Sequence, residues 1–156
     1  MAFPCGTRQE PSGADLGYMR DLLAMLEASD VPAPSPIEQR WTAASASPMS
    51  PAHSAAGTDL FSWLGIIMYL PPDDVGQRAD ITEAFLAYKE LCRQRLWQKY
   101  RAKQHWAKIE VPLDRDEALA QKTQLHRLYP AEEFNRLRQL FDPNNVLSNK
   151  LVNALF

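Results

Sequence analysis

"LFSWLGIIMYL", residues 60–70, is the stretch on which the reading of this chain turns. Its 11 residues are almost continuously apolar, yet a helix that crosses a membrane needs about 20. The run is rich in aromatic and β-branched side chains. Asp59 precedes it and "PPDD" follows it. Those features predict a buried β-strand rather than a helix. A buried strand needs a partner and a cover, and the flanking sequence offers both. Upstream, "IEQRW" (residues 37–41) places Ile37, Gln39 and Trp41 on one strand face and Glu38 and Arg40 on the other. Pro32, Pro34 and Pro36 force an extended approach to it. Downstream, residues 75–103 carry Ile81, Ala84, Phe85, Tyr88, Leu91, Cys92 and Leu96 at a 3.6-residue period. Strands far apart in sequence and covered by more numerous helices make an α+β pattern.

The rest of the chain fits around this centre. Residues 1–14 read as irregular, broken by Pro4, Gly6, Pro11 and Gly13. Asp15 is placed to cap a helix running to Ala28, with Met19, Leu22, Leu23 and Leu26 as its apolar stripe. Residues 43–57, Ala/Ser/Pro-rich and aperiodic, form a loop that could lie over a site. "HWAKIEV" (105–111) reads as a short strand ended by Pro112. It puts His105 and Ala107 on one face and Trp106 and Lys108 on the other. Two further helices are expected at 114–128 and 131–140, followed by a turn at "DPNN" (142–145).

Bulk properties narrow the function. The chain has 156 residues, 46% hydrophobic and 23% charged, with net charge −2. It is expected to form a single domain of ordinary globular composition. Six basic and no acidic residues lie between Arg93 and Lys108, leaving −8 on the remainder. That run is a solvated helix face or a docking face for an acidic partner or anionic head groups, with no nucleic-acid role, since Trp97 and Tyr100 largely continue the apolar stripe. Two cysteines make no disulfide framework and fit no zinc spacing. Cys92 falls on the apolar helix face, and Cys5 is expected near the surface. The six glycines never cluster, so no phosphate-cradling loop is present. No histidine pair has metal-ligand spacing.

Two constellations could carry chemistry. Glu38 and Arg40, two apart on a strand, point the same way about 7 Å apart. A guanidinium offers a rigid donor fork to a carbonyl, and a carboxylate accepts from a hydroxyl or takes its proton. The plainer reading is a surface ion pair. Lys108, beside the apolar Ile109, could stabilise an anion formed during a reaction. The plainer reading there is a packed Trp106 with Lys108 reaching out to solvent.

"PIEQRWTAASASPMSPAHS", "FSWLGIIMYLP", "HWAKIEVP" and "DPNNVLSNKLVNALF" together resemble the C-terminal part of the aldonolactone oxidoreductases, flavoproteins of the vanillyl-alcohol-oxidase type. The resemblance runs from about Phe3 to Phe156 with the motifs in order. It implies the C-terminal portion of a substrate-binding cap domain, antiparallel strands covered by helices, incomplete without an N-terminal partner. It further implies oxidation of an L-galactono-1,4-lactone at C2, the last step of ascorbate biosynthesis, with FAD as cofactor and cytochrome c as electron acceptor. By the same resemblance Glu38 and Arg40 hold the lactone, and Lys108, with His105 nearby, lies at the flavin ring. The family's FAD domain is N-terminal and is not within these residues, so a separate FAD-domain chain is the expected partner. The expected location is the mitochondrial inner membrane on its intermembrane-space side. The rival expectation is a non-catalytic structural subunit of respiratory complex I.

Overall fold

The computed structural model describes residues 1–33, 36–112 and 114–156. Pro34, part of the extended approach to residue 37, lies outside them. The chain forms two compact units. One comprises Met1–Ala46 and Pro51–Gln104, the other Ser47–Ser50 and His105–Phe156.

The first unit is built on a three-stranded antiparallel sheet, with β1 (Ala2–Thr7), β2 (Ile37–Ala43) and β3 (Asp59–Ile66). The stretch that led the sequence reading supplies β3, the central strand, flanked by β1 and β2. Phe61, Ser62 and Leu64 are buried there. The strand stops at Ile66 instead of continuing to residue 70, because Ile66 pairs with Ile37, where β2 begins. β1 corrects the irregular reading of residues 1–14. Phe3 pairs with Ser62 and Pro4 with Phe61 before the register shifts. Proline is tolerated on an edge strand, where no ladder donor is required of it. Gly6 turns the chain at φ +91, and a β-carbon there would come within 2.4 Å of the Glu10 carbonyl oxygen.

One sheet face is covered by helices. α1 (Ala14–Glu27) buries Tyr18 and Leu22. These meet Phe3, Leu64, Tyr88, Cys92, Leu96 and Ala102 in one core, with Ile37 and Ile66 packed against it. Phe3 stacks on Tyr18 at 4.8 Å between ring centres, and Tyr100 meets the Tyr18 ring edge-on at 4.9 Å. Leu23, expected in the stripe, is 49% exposed. Asp15 is not the cap either. Gly13 occupies that position at φ 70, and Asp15 instead accepts the Trp41 indole N–H at 3.0 Å.

α2 (Val75–Cys92) is capped by Asp74, which accepts from the Gln77 amide. The long helix expected over 75–103 is not uniform. A π-helical turn occupies Arg93–Trp97, then α3 (Gln98–Tyr100) ends at Arg101 in the left-handed conformation. The wide turn still brings Leu96 into the core with Trp97 and Tyr100 against it.

Asp21 ties α1 to α3. Its carboxylate accepts from Tyr100 Oη at 2.7 Å and from Lys99 Nζ. These hydrogen bonds, Lys99's first, hold its pKa below the ordinary 3.8. A depressed carboxylate pKa stabilises the fold above the unfolded-state value and loses that contribution as pH falls through the folded value. Asp21→Asn is therefore expected to lower the thermal midpoint at neutral pH. The difference from wild type should close as pH falls through the lowered folded-state pKa, since both carboxyl and amide are then uncharged. A difference that persists unchanged in strong acid would assign the effect to packing.

The second unit is helical. α4 (Arg115–Leu128) starts at Asp114, whose side chain accepts from the Asp116 and Glu117 amides. α5 (Ala131–Phe141) and α6 (Lys150–Leu155) follow. Between them the "DPNN" turn is fastened by Asp142, which accepts from the Val146 and Leu147 amides at 2.7 and 2.8 Å. The core is Ile109, Leu125, Tyr129 and Leu155, with Met49, Trp106, Val111, Leu151 and Phe156 packed on it.

Both cysteines are buried. For Cys92 this was expected. For Cys5 it is a correction, made by the pairing of β1, which leaves it 4% exposed. Burial raises both thiol pKa values, that of Cys92 to about 12. Since the thiolate is the nucleophile, neither should react with a thiol-specific reagent at pH 8 in the native chain, and both should react once it is unfolded. Rapid native labelling of Cys5 would contradict its placement.

Candidate functional site

The alternation read from "IEQRW" holds in the sheet. Ile37 and Gln39 are half-buried, while Glu38 and Arg40 are exposed. Phe3, Leu64, Ile66 and Ile37 line the helix-covered face. Glu38 and Arg40 alternate with them and so stand on the other face. Directly across on β3, Glu38 pairs with Gly65 and Arg40 with Trp63. Glu38 leans over the glycine, for a β-carbon built on Gly65 would lie 3.9 Å from its Oε2. The Trp63 indole N–H donates to Thr42 Oγ1 at 2.9 Å, which fixes the ring along the same face.

The ion pair that was the plainer reading of Glu38 and Arg40 is not formed. Neither side chain belongs to the ion pairs seen among the described residues, such as Arg93–Glu90, Lys99–Asp21 and Arg136–Glu133. The carboxylate and guanidinium are thus presented side by side. Arg40 also makes its surroundings positive. Together with burial, its charge lowers the Met1 amine, which donates to the Leu64 carbonyl at 2.9 Å, to about 6.

His105 and Lys108 belong to the other unit, where the structure corrects the strand expected at 105–111. Trp106–Lys108 is a single 3-10 turn. His105 Nδ1 accepts the Ala107 amide at 3.1 Å, and the Lys108 amide donates to the His105 carbonyl at 2.9 Å. A histidine that can close an N-cap competes with the extended backbone, which is the physical reason the strand gives way. The same bond leaves the proton of a neutral His105 on Nε2. Both His105 and Lys108 are exposed. Trp106 is half-buried: its indole N–H donates to the Met49 carbonyl at 2.6 Å, and its ring lies 4.6 Å from Tyr129 and 5.9 Å from Phe156.

Within the loop at 43–57, Ser45 and His53 are bridged, and the Ser45 amide donates to the Ala52 carbonyl. The basic run is in part neutralised locally, Arg93 by Glu90 and Lys99 by Asp21. His126 bonds the Leu155 carbonyl at 2.8 Å and serves the packing of α4 on α6. No group of three or more metal-ligating side chains occurs among the described residues. Trp63, Gly65 and Thr42 were not anticipated in the site. The signal was the two-residue period of "FSWLG", which puts Trp63 and Gly65 on one face.

Residues 12–155 match the family described as D-arabinono-1,4-lactone oxidase. The chain belongs to that family. It is 51% identical over 154 residues to "L-galactono-1,4-lactone dehydrogenase 1, mitochondrial" of Oryza sativa subsp. japonica. It is 50% identical to "L-galactono-1,4-lactone dehydrogenase, mitochondrial" of Brassica oleracea and 48% identical to the Arabidopsis thaliana protein of that name. Each comparison covers 99% of this chain but only about a quarter of the relative: 26% of the first two and 25% of the third. Family membership agrees with the resemblance carried by "PIEQRWTA" and "HWAKIEVP". No helix among the described residues is long and apolar enough to cross a membrane.

Proposed function

We propose that this chain is the substrate-binding C-terminal part of an L-galactono-1,4-lactone dehydrogenase-like flavoenzyme and acts with a separate chain that carries the FAD domain. The observation that carries this reading is the Glu38–Arg40 pair, exposed on one sheet face and not joined in an ion pair. Arg40 donates to the lactone carbonyl and fixes the ring. Glu38 accepts from the C2 hydroxyl and takes its proton as the C2–H bond breaks. Bound FAD supplies the acceptor for the C2 hydride. With FAD bound, Lys108 would supply a cation, and His105 a ring, to the part of the flavin that gains negative charge on reduction. The lactone product, a 2-ketone, tautomerises to ascorbate in solution. Cytochrome c is the proposed final acceptor, at the mitochondrial inner membrane on its intermembrane-space side.

The chain spans about a quarter of the length of its relatives. The test is purification of the chain from its native source under mild conditions, identification of what accompanies it, and an absorption spectrum before and after adding L-galactono-1,4-lactone. A flavin spectrum that bleaches on adding the lactone is the expected result. Co-purification with respiratory complex I subunits, without flavin, would overturn the catalytic reading in favour of a structural subunit.

A further inference from the structure

Gly65 sits inside β3, where glycine weakens a strand by packing nothing and by its freedom in the unfolded chain. The usual structural reasons for a glycine do not apply. Its φ is not positive, unlike those of Gly6 and Gly13. The ladder is regular around it, with Glu38 opposite Gly65, Gln39 opposite Leu64 and Arg40 opposite Trp63, so it marks no bulge. Nor is it crowded: a β-carbon would meet nothing nearer than the Cβ and Oε2 of Glu38, each at an ordinary 3.9 Å. Backbone and packing both admit a side chain, and β3 would be the more stable for one.

The missing side chain leaves a bare strip of backbone beside the Glu38 carboxylate. Trp63, two residues back on the same face and held by Thr42, walls one end of it. Arg40 stands across from that wall. A flat bed flanked by an acceptor, a donor fork and an aromatic ring suits a small, nearly planar ring bearing hydroxyls. We propose that Gly65 is a specificity-determining position, whose bare backbone is the bed for the five-membered lactone ring between Glu38 and Arg40. This rests on the functional reading above and extends it to a residue on the neighbouring strand. A β-branched side chain at 65 would fill the bed while favouring the strand, so lactone affinity and stability move in opposite directions.

The experiment introduces Gly65→Ala and Gly65→Val into the native preparation. It reads two quantities, the lactone concentration that half-bleaches the flavin and the thermal midpoint of the chain. Gly65→Val is expected to raise the half-bleaching concentration at least about tenfold with a midpoint equal to or above wild type, and Gly65→Ala to fall between. An unchanged half-bleaching concentration in Gly65→Val would overturn the assignment while leaving the functional reading intact. So would loss of lactone response in step with a lower midpoint in both variants, which would make Gly65 a packing residue. A wild-type preparation that ignores the lactone would remove the functional reading itself, and the assignment with it.

Discussion

Arg40→Ala is expected to weaken the lactone response of the native preparation by about 10- to 150-fold while the first unit stays folded. The figure follows from the loss of a charged hydrogen bond, roughly 1.5–3 kcal/mol. The fold should not suffer, because Arg40 is exposed, fills no core volume and is in no ion pair among the described residues. Substitutions at such positions usually change stability by less than about 0.5 kcal/mol. Arg40→Lys should recover little, since an ammonium cannot reproduce the planar donor fork. The readouts are the half-bleaching lactone concentration and the thermal midpoint. A folded Arg40→Ala protein with a wild-type response would remove Arg40 from the site, and an unfolded one would make it structural.

Trp106→Ala should do the reverse. Its ring packs on Tyr129 and Phe156, and its indole N–H satisfies the Met49 carbonyl. Truncating a buried Trp costs about 3–5 kcal/mol. This one is half-buried, which points to about 3 kcal/mol. That is a large share of the stability of a small unit. Amide exchange across α4 to α6 should therefore accelerate markedly. Protection that stays at wild-type level would show that the ring holds nothing together. Trp106→Phe separates the two contributions, because it keeps most of the apolar contact and loses the bond to Met49.

Much of this was open to reading in the sequence, for definite physical reasons. Alternation along residues 37–41 survives because a strand's side chains must alternate whatever it pairs with, so Glu38 and Arg40 were assigned to one face correctly. The helices after Asp74 and Asp114 begin where expected because an aspartate cap is a local interaction. Where several local choices competed, the reading failed. Residues 2–7 contain a proline and a glycine and become a strand only because β3 offers them an edge. Residues 105–108 satisfy strand and turn patterns alike, and the His105 cap selects the turn. Asp15 could have capped α1, but a distant Trp41 engages it instead.

The sequence by itself determined the α+β class, the central buried strand and the family, since each is written in periodicities and motifs contained within short stretches. Tertiary structure alone decided that Glu38 faces a bare Gly65 and Arg40 faces Trp63, that Cys5 is buried, and that a π turn interrupts the long helix. Those facts depend on which strands and helices meet across many residues of chain. Pairing energies of that kind belong to two segments at once, and neither segment carries the other's position in its own sequence.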